Sequence, residues 1–287
     1  MRAFQGKIVI VTGGSSGIGK ALSRDLCREG ATVIIADIQK EAGQKVVQEI
    51  VANGGNASFS EVDVTHPEAV QALVNQTVVK YGRLDLMFNN AGIGVSGEVR
   101  DFTLQDWNRT LDINVRGVVH GVHAAYQVMV QQGHGHIINV ASLAGLTPAS
   151  YGVPYCASKH AVVGLSTALR VEAKALGVKV SVVCPGFIKT PMLTDTPGVN
   201  LSKEGTDNIV KGLPKISAEK CARIILRGIR RNKAIITVPF FATLGWWLTR
   251  ISPRIARFVA GMITNKMRAT RIPPVSSASS HSHQGQI

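Results

Sequence analysis

The sequence predicts one doubly wound α/β fold, a parallel sheet with helices on both faces, followed by a basic, helical C-terminal extension. Three observations carry that prediction. Short β-branched apolar runs alternate with longer segments whose apolar residues recur at helical spacing. A glycine-rich turn joins the first run to the first helical segment. Most of the runs are continuously apolar, as parallel strands covered on both faces require.

The strand candidates in order are 8–11, 32–36, 57–62, 84–89, 136–140 and 179–183, with 234–238 as a last strand. Between them, 18–29 and 40–52 read as helices. This alternation gives βαβ units, which in one sheet wind right-handed and build a doubly wound fold. With 287 residues, 45% apolar and 17% charged, the chain suits a compact α/β protein and not a disordered one. Residues 1–238 are expected to form the main domain, 239–272 the extension, and 273–287, rich in serine with two prolines, a disordered tail.

Cys27, Cys156, Cys184 and Cys221 show no paired spacing, so neither a disulfide framework nor a zinc site is expected, and a reducing, cytoplasmic setting follows. The first apolar run begins at Ile8, which leaves no room for a signal peptide.

The turn VIVTGGSSGIGK follows the first strand and opens the first helix. Gly13, Gly17 and Gly19 lack Cβ atoms, so backbone there can approach a pyrophosphate, and the helix N-terminus adds free N–H groups facing the anion. An ordinary strand-to-helix turn would use similar residues. Asp37, however, ends the second strand 18 residues after Gly19, close to the roughly 20-residue offset of a ribose-binding acid. A carboxylate there accepts from the adenosine ribose hydroxyls and repels a 2′-phosphate, which favours NAD(H) over NADP(H); Lys40 is the one nearby cation against that preference.

Tyr155 and Lys159 stand four apart in a helix-patterned stretch, one turn along a common face. Reducing a ketone needs a proton donor at oxygen, and a lysine charge beside a tyrosine is expected to lower the phenol pKa toward the working range. Ser142, ending HIINVAS, can hydrogen-bond a substrate oxygen. His120, His123, His134 and His136 lie near one another without a carboxylate partner or ligand spacing, and no metal is expected.

The spacing Gly-x-x-x-Gly-x-Gly, with Asp63-Val64, Asn89-Asn90-Ala91-Gly92, Asn114, Ser142, Tyr155, Lys159, Pro185-Gly186 and Thr190 following in order, resembles the short-chain dehydrogenase/reductase family over residues 5–195. The resemblance implies a Rossmann-type fold and an NAD-dependent oxidoreductase interconverting a secondary alcohol and a ketone. It assigns Tyr155 as general acid/base and Lys159 as its electrostatic partner and nicotinamide-ribose ligand. Ser142 would position the oxygen, and Asn114 would hold a water that relays protons from Lys159 to solvent. It further assigns cofactor contacts to Gly13, Ser15, Ser16, Gly17, Ile18, Gly19, Asp37, Asp63, Val64, Asn90, Ala91, Gly92, Tyr155, Lys159, Pro185, Gly186, Ile188 and Thr190. A homo-oligomer, dimer or tetramer, is expected. A non-catalytic dinucleotide sensor or membrane-associated scaffold of the same fold is the competing reading.

The formal charge of +14 is concentrated at one end. Residues 1–210 carry 18 Lys/Arg against 17 Asp/Glu, whereas 211–287 carry 14 against Glu219 alone. Residues 239–271 interleave Phe240, Phe241, Trp246, Trp247 and Phe258 with six basic residues. The uncharged stretch 234–249 falls short of the ~20 residues of a spanning helix. Three readings stand: contact with an anionic membrane, a lid over an apolar pocket, or a subunit interface. Nucleic acid is not expected, because the basic residues alternate with an apolar stripe and no nucleic-acid motif accompanies them. This segment resembles family members acting on lipophilic alcohols such as steroids and retinoids. Met192, Leu193, Val199, Leu201, Ile209 and Val210, in the variable loop, could line a matching pocket.

Overall fold

The computed structural model describes residues 3–272; the expected tail from Pro273 lies outside them. The chain runs β1 (Ile8–Thr12), α1 (Gly17–Arg28), β2 (Thr32–Asp37), α2 (Lys40–Ala52), β3 (Asn56–Glu61), α3 (Pro67–Tyr81) and β4 (Leu86–Asn89). It continues through α4 (Leu104–Leu111), α5 (Gly117–Gln132), β5 (Gly135–Val140), α6 (Val153–Ala173), β6 (Val178–Pro185) and the short β7 (Ile188–Lys189). Then follow α7 (Pro191–Asp195), α8 (Lys203–Lys211), β8 (Ile216–Ser217), α9 (Ala218–Arg230), β9 (Ile235–Val238), α10 (Phe240–Ile251) and α11 (Pro253–Arg268).

Seven strands form one parallel sheet in the order β3-β2-β1-β4-β5-β6-β9. All seven expected strands are present. β4 begins two residues later than its apolar pattern suggests, because the Asp85 carboxylate accepts from the Ile8 backbone N–H and from Lys7 Nζ, both at 2.9 Å. β3, at one edge of the sheet, is only half-buried, whereas β1 and β4 are buried throughout. One face of the sheet packs Leu22, Leu26, Ile225 and Leu226 from α1 and α9, and the other Val70, Leu73, Ala125 and Met129 from α3 and α5. Fully burying a side chain of that size stabilises by about 1.5–3 kcal/mol, so each layer is a large stabilising term.

Strand order reverses between β1, which connects outward to β2, and β4, which begins the other half. In such sheets the crevice above the carboxyl ends at that reversal is where ligands bind. The C-terminal extension is two helices broken at Ser252-Pro253, with proline in the first turn of α11. Its end is tied back to the loop before α8: Leu201 bridges Arg271, Ser202 N donates to Thr270 O at 2.8 Å, and Ile272 N to Asn200 O at 2.9 Å.

Candidate active site

A cavity of about 1300 Å³ occupies this crevice and runs from Asp37 past the glycine turn and Lys159 to α11. Its wall includes Gly13, Ser16, Gly17, Ile18, Asp37, Asp63 and Val64 at one end, and Asn90, Ala91, Gly92, Ser142, Tyr155 and Lys159 in the middle. Pro185, Gly186, Ile188 and Thr190 complete that middle section. Of the expected cofactor and catalytic residues, Ser15, Gly19 and Asn114 stand behind the wall, as does Val199, which the sequence offered as a pocket residue.

The turn after β1 is shaped for close approach. Gly13 and Gly17 adopt φ of +63° and +50°, the left-handed region that favours glycine. A Cβ on Gly13 would meet Ala91 Cα at 2.8 Å, and one on Gly19 would meet the Gly13 carbonyl oxygen at 2.1 Å. Gly19 therefore acts by letting the helix sit against the turn. Asn90 fastens the turn from the other side, its Nδ2 donating to Thr12 O at 2.9 Å and Gly13 O at 3.1 Å. A Cβ on Gly17 would press on the Thr190 methyl group at 3.1 Å.

Asp37 is buried, its two oxygens accepting from Ser15 N and Gln39 N, each at 3.0 Å. The carboxylate is thus fixed in orientation at the cavity wall. Lys40 lies 3.8 Å from Glu61. Asp63 is partly committed, Oδ1 accepting from Thr65 N and Oγ1, each at 2.8 Å. Burial raises its pKa, but those Thr65 bonds outweigh burial and hold it below the usual carboxylate value. A narrow glycine cradle under a helix N-terminus, with a fixed carboxylate beyond it, fits a dinucleotide; Gly13, Gly17, Asp37 and Lys159 would hold it.

Ser142 ends the loop after β5 beside the half-buried Tyr155, its Oγ accepting from Ala144 N at 3.2 Å and donating to Pro185 O at 3.4 Å. Lys159 is buried one turn along α6, Nζ donating to Val140 O at 3.1 Å and lying 5.6 Å from the Tyr155 ring centre. Here the sequence expectation needs correction. Burial raises the Tyr155 pKa, and the Ser142 hydrogen bond only partly opposes it. Burial also drives the Lys159 pKa down to about 8. Desolvation is the largest influence on the phenol, and the Lys159 charge, 5.6 Å from the ring centre, is not among those that offset it.

Asn114 lies in a π-helical turn, Asp112–Arg116, between α4 and α5. Its side chain donates to Ile93 O at 3.0 Å and Ser158 Oγ at 3.1 Å, and accepts from Ile93 N at 2.9 Å. A Cβ on Gly92 would lie 2.9 Å from Asn114 Oδ1 and 3.3 Å from Lys159 Nζ, so these three residues adjoin. π-turns leave backbone groups without their usual helical partners and recur at functional sites.

The far end of the cavity is largely apolar: Val95, Leu143, Leu193, Leu201, Ile209 and Leu213 line it, with Lys203, Thr206 and Asp207 of α8 among them. Ala260, Ile263 and Met267 of α11 line it too, so the basic extension roofs the pocket. Arg271 holds that roof, donating to Asp101 at 2.7 and 2.9 Å, and Arg268 donates to Glu98 at 2.6 Å. The Arg271 guanidinium brings the Asp101 carboxyl down to about 2. Sequence reasoning missed this latch, since the partners are 170 residues apart. It also missed Thr12 and Ser158, whose only local signal is adjacency to Gly13 and Lys159. Of the four histidines, His120 contacts Val64 O at 2.8 Å and His136 contacts Ser181 Oγ at 2.9 Å.

Comparison with known proteins fits this geometry. The family model described as short chain dehydrogenase matches residues 7–198. Cyclohexanol dehydrogenase of Acinetobacter sp. (strain SE19) is 38% identical over 193 residues, covering 67% of this chain and 77% of that one. The probable oxidoreductase EphD of Mycobacterium tuberculosis is 34% identical over 266 residues, 90% of this chain but only 45% of its own length. A match over that share of the chain necessarily runs into the segment after Pro239. Among solved structures, a short chain dehydrogenase/reductase from Burkholderia phymatum in complex with NAD superposes with a TM-score of 0.81 at 28% identity, over 89% of this chain and 96% of that one. The chain belongs to the short-chain dehydrogenase/reductase family of oxidoreductases.

Proposed function

We propose that this protein is an NAD(H)-dependent oxidoreductase interconverting a lipophilic secondary alcohol, steroid-, retinoid- or terpenoid-like, and its ketone. The observation that carries the reading is one continuous cavity, with Asp37 at one end, Ser142, Tyr155 and Lys159 in the middle, and an apolar chamber under α11 at the other. The name of the relative acting on cyclohexanol supports a cyclic alcohol.

In the reductive direction Ser142 orients the carbonyl oxygen and the Tyr155 hydroxyl donates its proton to it. The raised Tyr155 pKa keeps it a proton donor at neutral pH. Lys159, charged below about 8, stabilises the phenolate left behind. Lys159 then returns a proton to Tyr155, and the Asn114 turn is the path by which Lys159 is resupplied. The nicotinamide supplies the hydride chemistry, while the protein supplies orientation and electrostatics.

The organisation that goes with this reading is a dinucleotide-binding catalytic domain over 1–238 and a roof over 239–272. Its setting is cytoplasmic, in keeping with four free thiols, and its assembly a homo-oligomer. The reading includes contact of 239–271 with anionic lipid. Fluorescence titration with NADH and NADPH, followed by turnover of secondary alcohols of rising bulk, tests the cofactor and the reaction. Preference for NADH and turnover that improves with apolar bulk are expected. Tight NADPH binding would overturn the role given to Asp37, and NADH binding without turnover of any alcohol would overturn the reaction.

A further inference from the structure

The segment after Pro239 has two faces with different tasks. Inward, Ala256, Ala260, Ile263 and Met267 recur at helical spacing along α11, and the last three line the cavity. Outward, α10 presents Phe240, Leu244, Trp247, Leu248 and Ile251 along a single stripe, all exposed. On α11 the outward stripe is Ile255, Phe258, Val259 and Met262. The extremes are well out in solvent: Phe240 is 75%, Ile251 77% and Phe258 69% exposed. Scattered apolar residues on a surface are ordinary, but contiguous stripes on two successive helices mark a contact surface.

The charge around those stripes identifies the contact. Residues 239–272 contain no acidic residue. Arg268 and Arg271 are engaged by Glu98 and Asp101, but no ion pair with a carboxylate engages Arg250, Arg254, Arg257 or Lys266 among the described residues. Arg250 lies over the Trp246 ring at 5.6 Å, and Trp246 lies 5.7 Å from Trp247. Indole rings and guanidinium groups together suit an interface that is apolar on one side and anionic on the other.

We propose that α10 and α11 form a docking surface for an anionic lipid bilayer, and that the substrate cavity opens at the rim of that surface. Ile263 marks the rim, since it lines the cavity and is also half exposed. Docking stands on the surface alone; delivery of substrate from lipid rests on the proposed reaction. A second copy of the chain fits the surface less well. A twofold contact centred on it would bring Arg254 and Arg257 toward the same residues of the partner, with no carboxylate on the segment to offset them. No helix among the described residues is long and apolar enough to cross a membrane, so the segment would lie in the interface.

The test is co-sedimentation of the full chain with phosphatidylcholine vesicles, with and without phosphatidylglycerol. Partition onto the mixed vesicles is expected, falling as salt is raised. Arg254→Glu with Arg257→Glu, and separately Ile251→Glu with Phe258→Glu, are each expected to lower it by about tenfold or more. Circular-dichroism melts matching the wild type show that both variants fold, and Arg254→Gln with Arg257→Gln provides a milder substitute if they do not. Equal binding to neutral and mixed vesicles, or binding to neither, overturns the proposal. So does a change in oligomer size by light scattering with vesicle binding unaltered, which would assign the face to a second copy. A protein that binds mixed vesicles but oxidises no alcohol sustains the docking surface and overturns the reaction instead.

Discussion

Tyr155 and Lys159 meet opposite demands from burial. A phenol taken out of water holds its proton more tightly, and an ammonium taken out of water gives its proton up more readily. The pair is therefore tuned for donation from tyrosine while the lysine remains charged, a window whose upper edge is the lysine value of about 8. Ketone reduction is expected to fall as pH rises through that value, because the charge that stabilises the departing phenolate is then lost. Tyr155→Phe is expected to lower turnover by about 10²–10⁴-fold while NADH affinity stays within a few-fold. Steady-state rates across pH, with NADH fluorescence titration of the variant, check both statements. A variant that retained most of its turnover would remove Tyr155 from the chemistry. The identities of these residues were legible in the sequence because chemistry fixes their type and the helix fixes their spacing. The direction of the tyrosine shift was not, since it depends on how deeply α6 is packed against β5 and β6, and spacing is silent on depth.

At the scale of elements, the strands were readable because parallel strands buried on both faces must be near-continuously apolar, as β1 is from Ile8 to Val11. The roof was only half readable. The apolar periodicity of α11 shows which of its residues share a face, but not that Ala260, Ile263 and Met267 cover a cavity. What places it there is the latch, Arg271 and Arg268 on Asp101 and Glu98, and no local pattern announces pairs so far apart. The latch makes a prediction at this scale. Because Arg271 brings Asp101 down to about 2, the pair stays ionised throughout the working pH range. Arg271→Ala leaves a well-buried carboxylate without its bidentate partner, and the end of α11 is expected to loosen. KM for a bulky apolar alcohol should then rise several-fold while kcat for a small one changes little. Unchanged KM for both would mean that the Arg268–Glu98 pair, the backbone bonds to Asn200 and Thr270, and the packing of Met267, Leu201 and Tyr151 suffice to hold α11.

For the whole molecule, chemistry and stability are lodged at opposite ends of the sheet. The cavity opens above the carboxyl ends of the strands, whereas His136 lies at the amino end of β5, buried against Ser181. Burial, helped by the nearby charges of Lys179 and Arg170, depresses the His136 pKa to about 3, so the folded protein keeps this imidazole neutral. The unfolded chain binds that proton near the ordinary value of about 6.5. Between those two values the unfolded state holds more protons than the folded one, and stability must fall as pH falls, by up to about 1.4 kcal/mol per pH unit. Above about 6.5 the contribution is fully present; it is lost as pH drops toward 3. His136→Gln removes the titration while retaining a group able to hydrogen-bond Ser181 Oγ. The urea midpoint of the wild type is therefore expected to fall more steeply than that of the variant between about pH 7 and pH 5. Parallel curves would show that acid sensitivity resides elsewhere. Since the histidine is remote from Tyr155 and Lys159, the same substitution should leave the pH dependence of turnover where the wild type has it. That separation distinguishes loss of fold from titration of the site.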